Sequence, residues 1–127
     1  MVKIITRNNR NLTDNDIPQL IKEISKIPEG VDELHLQFNE ITSQGAKLLA
    51  MLNNVRLLNL AHNNLDDECL AELAKSEINV LDLNGNHITD KGIDSLITDT
   101  RQKSIHVPGL WVSKKKLALL VIKNIEK

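Results

Sequence analysis

Aromatic residues are almost missing from this sequence: Phe38 and Trp111 make up 2% of its 127 residues, so a hydrophobic core has to be built from aliphatic side chains. Cysteine occurs once, at Cys69. One thiol excludes an intrachain disulfide and makes a reducing, cytoplasmic setting the simpler one. Net charge is nearly absent as well: 16 basic residues stand against 17 acidic ones, for a formal charge of −1. A chain with no global field of either sign has no electrostatic pull on nucleic acid or an anionic membrane. Long apolar runs are missing too. The opening M-V-K-I-I-T-R-N-N-R is interrupted by Arg7 and Arg10, unlike the apolar stretch of a signal peptide. The longest apolar run, residues 117–122, falls far short of the ~20 needed to span a bilayer. These absences lead to the expectation of a soluble protein with neither nucleic-acid nor membrane partners.

What the chain does have is a repeat. Leu81-x-Leu83-x-x-Asn86-x-Ile88 is preceded by Leu58-x-Leu60-x-x-Asn63-x-Leu65 and by Leu34-x-Leu36-x-x-Asn39-x-Ile41. The asparagines recur at intervals of 24 and 23 residues, a period that signals a solenoid. An inward Leu-x-Leu strand followed by an amphipathic helix cannot bury its own apolar face, but stacked copies can. The spacing predicts full repeats over residues 31–54, 55–79 and 80–104, the first with a strand around Glu33 to Gln37 and a helix from Ser43 to Leu52. The second helix runs to Lys75 and the third ends near Thr98. Asn39, Asn63 and Asn86 fall where the chain leaves the sheet, and buried amides there would form a ladder satisfying backbone groups of neighbouring coils.

Both ends read as worn copies, so residues 1–127 are expected to form one domain of about five coils. In residues 1–30 the register is ambiguous: counting forward from Ile4 as an inward residue puts Asn9 in the asparagine slot, while counting back from Leu12 puts Arg10 there. One inserted residue would reconcile the two. Ile17, Leu20, Ile21, Ile24 and Ile27 lie at helical spacing, with one more turn than the other repeats. In residues 105–127, Ile105 and Val107 continue the strand pattern, Ser113 takes the cap position, and Lys114 to Ile125 forms a closing helix. Five helix N-caps, Thr13, Thr42, Asp66, Thr89 and Ser113, fall at equivalent positions.

The Leu-x-Leu-x-x-Asn-x-Leu pattern resembles the leucine-rich repeat family, and the continuation Thr-x-x-Gly-x-x-x-Leu, at Thr42 to Leu49 and Thr89 to Leu96, resembles its ribonuclease-inhibitor-like class. The resemblance implies a short right-handed α/β solenoid with a concave parallel sheet and convex helices. It also implies a protein-binding scaffold. An alternative within binding is a bacterial effector acting inside a host cell, on the resemblance to short repeat proteins of that kind and the Lys, Ile and Asn richness; a further alternative is a scaffold that self-associates.

In this register the concave face carries aligned columns. Glu33, Leu57, Val80 and Ser104 form one, His35, Asn59, Asp82 and His106 the next, and Gln37, Ala61, Asn84 and Pro108 a third. A fourth row at the strand ends holds Phe38, His62, Gly85 and Gly109. Leu57 beside Val80 is an apolar spot flanked by hydrogen-bonding side chains, a mixture suited to protein recognition. Trp111 lies on the rim of the last coil, either folded over the final layer or exposed as an anchor. The candidate binding residues are therefore Glu33, His35, Gln37, Leu57, Asn59, Val80, Asp82, Asn84, His106 and Trp111. Asp82 beside His106 resembles half of a catalytic or metal pair, but no nucleophile follows in its column. Cys69 takes the slot of Gly45 and Gly92, where a small packed residue is wanted, and no Cys/His spacing supports zinc. No catalytic residue, cofactor or metal ligand is expected. The concave patch amounts to ~400 Å², about half of what each partner buries in a standard interface, so the expectation is a monomer or weak homo-oligomer whose sheet alone binds a partner weakly.

Overall fold

The computed structural model describes residues 2–93 and 104–106. Five short strands, β1 Ile4–Thr6, β2 Val31–His35, β3 Val55–Asn59, β4 Val80–Asp82 and β5 Ser104–His106, pair in parallel in sequence order. Helices α1 Ile17–Ser25, α2 Ser43–Leu49 and α3 Leu70–Lys75 alternate with the first four strands, and a further helical turn begins at Asp90. Each strand thus pairs only with the coils before and after it, as in a solenoid.

The register aligns Ile5, Leu34, Leu58, Leu81 and Ile105 across the sheet. Leu36, Leu60 and Leu83 follow two residues later in their coils, and all three are fully buried. Helix residues Ile24, Leu49 and Leu73 meet them from the other side, which closes the aliphatic core that the near absence of aromatics required. Thr42 and Asp66 act as helix caps, accepting from Gln44 N at 3.3 Å and Glu68 N at 3.0 Å. At the first coil the cap works in reverse: the Asp16 carboxylate accepts from Thr13 N at 2.9 Å.

Where the chain leaves the sheet, the three asparagines form the expected ladder. Asn63 Oδ1 accepts from Ile41 N at 3.0 Å, while its Nδ2 donates to Leu36 O at 3.0 Å and Leu60 O at 3.1 Å. Asn86 repeats the arrangement one coil on, with Leu65 N, Leu60 O and Leu83 O. The carbonyls of Leu36 and Leu60 each accept from the asparagine of their own coil and from that of the next.

Three expectations need correction. The first full strand is Val31–His35 rather than Glu33 to Gln37, because Val31 is buried and starts the pairing against Val55, while the chain swings into a left-handed turn at Phe38. Helix α2 stops at Leu49, short of Leu52; Met51 N and Leu52 N bond to carbonyls three residues back, tightening the last turn. In the first coil it is Ile5, not Ile4, that points inward, opposite Leu34. Arg10 then falls in the asparagine slot with no insertion, and its backbone N–H and that of Leu12 both donate to Asn39 Oδ1 at 3.0 Å. Arg7 occupies the slot of Leu36, its guanidinium 3.6 Å from Glu23, so the terminal coil presents an ion pair at a position where inner coils hold a buried leucine. Trp111, Pro108, Gly109, Ser113, the end of the third helix and the closing helix lie outside the described residues.

Replacing Asn63 by Ala should cost about 3 kcal/mol or more, since Ile41 N and the shared carbonyls lose buried partners worth ~1–3 kcal/mol each. The neighbouring exposed Asn64→Ala should stay within about 0.5 kcal/mol, and urea unfolding midpoints compare the two.

Candidate interaction face

The parallel register brings the expected columns together. Glu33, Leu57, Val80 and Ser104 lie side by side, as do His35, Asn59, Asp82 and His106. Each column has one member that sequence reasoning missed: Ile4 beside Glu33 and Thr6 beside His35. Ile4 is 54% exposed, so the first column runs from Ile4 through the acidic Glu33 to the apolar pair Leu57 and Val80 and then to Ser104. Leu57, Val80, Gln37 and Asn84 are half-buried. Ala61 departs from the expected exposed column, being buried at 7%.

Side chains along these columns restrain one another. His35 Nε2 lies 2.8 Å from Glu33 Oε1, and its Nδ1 is 3.4 Å from Asn59 Nδ2. Arg56 Nη2 approaches the other Glu33 oxygen at 3.9 Å. Asn59 Oδ1 accepts from Ala61 N at 3.0 Å, and Asp82 Oδ1 accepts from the backbone and side-chain nitrogens of Asn84 at 3.1 and 2.9 Å. The carboxylate of Asp82 is thus engaged along its own strand rather than in an ion pair with His106. Open recesses of 340 and 510 Å³ lie at the N-terminal ends of the strands, around Gly30 and Asn54, and between the helices, around Pro18 and Leu48, away from these columns. Among the described residues no group of three or more His, Cys, Asp and Glu side chains is placed to hold a metal ion, and no helix is long and apolar enough to cross a membrane.

The row at the strand ends is the largest surprise. Asn9, Phe38, His62 and Gly85 occupy one slot in successive coils, and all four have positive φ, at 56°, 58°, 57° and 72°. The slot demands a left-handed residue, which costs an ordinary L side chain roughly 1–2 kcal/mol. Phe38 and His62 accept that cost and stack, ring centroids 4.5 Å apart and planes 4° from parallel. A Cβ at Gly85 would run into the His62 imidazole. Gly85 and Gly109 in the same row were the signal in the sequence that could have exposed this backbone requirement.

On the helical side, successive coils are keyed to each other at the cap positions. Asp14 of the first coil takes the N–H and hydroxyl of Thr42, and Asp67 does the same for Thr89. These aspartates fit because Gly45 and Gly92 have no Cβ to meet them. The middle junction reverses the sizes: small Ser43 bonds to Asp66 at 2.6 Å and leaves room for Cys69. That hydroxyl, more than the Glu68 N–H, holds the Asp66 carboxyl below its ordinary range. Cys69 packs as expected. Burial pushes its thiol up to about 11, against a weaker lowering by the Ser43 hydroxyl.

With strands, asparagine ladder and caps in place, the chain belongs by architecture to the strand-turn-helix solenoids. A family model described as Leucine Rich repeat matches residues 31–50, 52–74 and 78–96, and the chain is a leucine-rich repeat protein. Such repeats are generally protein-interaction modules. No curated protein matches the chain.

The Cys69 thiol gives a pH test. A folded-state pKa raised from 9.0 to about 11 means that the folded protein holds this proton more tightly than the unfolded chain. Its contribution is fully present below pH ~9 and is lost as pH rises toward ~11, by up to ~3 kcal/mol. The stability difference between wild type and Cys69→Ala, from denaturant melts over that window, should shrink with rising pH by this order.

Proposed function

We propose that this chain is a non-catalytic protein-interaction module, a single leucine-rich-repeat domain that takes a partner protein on the concave face of its sheet. The observation that carries the reading is the unbroken register of five strands, which lines up an apolar column, Ile4, Leu57 and Val80 with Glu33 among them, against a polar one, Thr6, His35, Asn59, Asp82 and His106. An apolar centre bordered by hydrogen-bonding side chains is the composition of interface cores and their rims. The mutual bonds of Glu33, His35 and Asn59 hold the polar groups in fixed positions before a partner arrives, which lowers the entropy lost on binding. The α-helices that follow the caps, entered directly at Thr42 and through a 3-10 turn at Thr13 and Asp66, together with Gly45 and Gly92, favour the ribonuclease-inhibitor-like form of the repeat.

A bait experiment tests the face. Wild-type protein immobilised at neutral pH should retain a partner from cell extract, and a Leu57→Asp, Val80→Asp double variant should lose at least about tenfold in affinity. Asp82→Lys should also weaken capture while the protein stays folded, with the melting curve lowered only by the loss of the two bonds from Asn84. Undiminished capture by both variants would move the site off this face.

A further inference from the structure

The stacked pair Phe38 and His62 stands apart from the two columns and from the core. Phe38 is 52% exposed although one of its faces lies against His62, so its open surface is the opposite face and the ring edge, on the side of the first coil. There the equivalent residue is Asn9, whose N–H donates to Gln37 O at 3.2 Å. Neither ring contributes to the buried core. Asparagine or glycine would satisfy the left-handed backbone of both positions with less strain, as Asn9 and Gly85 do. Core packing therefore gives no reason for two rings in this slot beyond their own stack, and strained non-glycine residues at an exposed site point to use of the side chain.

The surroundings define what such a shelf would accept. Backbone bonds from Asn9 to Gln37, from Phe38 to Ala61 and from His62 to Asn84 put Asn8 and Gln37 at the position before the slot in the first two coils, with Asn11 and Asn64 two residues beyond it; Asn84, at the same position in the fourth coil, spends its amide on Asp82. Each carboxamide offers two donors and an acceptor oxygen, and Gln37 Oε1 is shielded from solvent without taking a hydrogen bond. Charge is balanced, with exposed Arg10 and Glu40 bordering the row. A phosphate or carboxylate ligand would need paired cations that this rim lacks, and a stacked nucleobase would bring a phosphate backbone with the same need. A flat, partly apolar ring dense in hydroxyl groups and free of charge satisfies both the open aromatic face and the amides.

We infer that the Phe38–His62 shelf is a carbohydrate subsite, with the C–H face of a neutral pyranose against Phe38 and its hydroxyls on the surrounding carboxamides. The shelf adjoins the two protein-binding columns, with Gln37 two residues beyond His35 and Asn84 bonded to Asp82, but its contacts centre on Phe38 rather than on Leu57 and Val80.

Isotope-labelled protein titrated with maltohexaose, cellohexaose and chitohexaose tests this by NMR. At least one sugar should give saturable shifts with a dissociation constant near ~1 mM, confined to the Phe38 ring and the side-chain amides of Asn8, Asn9 and Gln37. Phe38→Gly keeps the left-handed backbone and should stay folded by its amide spectrum while losing the shifts. The Leu57→Asp, Val80→Asp variant should bind the sugar as wild type does. Absence of shifts with all three sugars, or shifts that survive Phe38→Gly, overturns the proposal. Loss of protein-partner capture by Phe38→Gly with no sugar bound would overturn it too, assigning the shelf to the protein interface.

Discussion

Every other feature of this fold depends on the amides of Asn39, Asn63 and Asn86. A strand that turns through a left-handed residue strips its last backbone groups of ladder partners, and a buried carbonyl or N–H without a partner costs on the order of 1–3 kcal/mol. The asparagine three positions past the second inward leucine supplies donors and acceptor at once, and by sharing the carbonyls of Leu36 and Leu60 between neighbours it makes each turn a junction between coils. The strands can therefore be as short as three residues, because the turns as well as the ladders hold them in line.

That alignment is what gives the sheet face chemical meaning. Columns of side chains across five strands exist only if the register never slips, and a slip by one residue would turn every leucine outward. The same positions that fix register are spent on the core, which leaves Glu33, His35, Leu57, Asn59, Val80 and Asp82 as the residues whose identity the fold does not dictate. Their bonds run along and across strands, so the face is a coupled surface rather than a set of independent side chains.

Much of this was legible from the letters alone, for a physical reason: burial in a repeated layer imposes the same residue types at the same spacing, and Leu34, Asn63 or Ile88 announce themselves by recurrence. The first coil was harder to read. Arg7 sits where the repeat has leucine and Arg10 where it has asparagine, so the pattern that would have fixed the register is missing there. The Phe38–His62 stack was obscured for the opposite reason. A positive φ is a demand on the backbone, and two aromatic residues that meet it against their preference give no sign of it in composition.

The cap positions on the helical side alternate: Asp14 against Gly45, Ser43 against Cys69, Asp67 against Gly92. A large side chain always meets a glycine and a small one meets the cysteine, so neighbouring coils are complementary rather than identical. Duplicating the coil of residues 55–79 would press Asp67 onto a second Cys69, a buried thiol, whereas duplicating residues 31–79 as a pair would set Asp67 against Gly45, the kind of junction already present at Gly92. A coil inserted after Asp67 must therefore carry glycine in the slot of Cys69, so the size of one side chain at each junction decides which coil can follow.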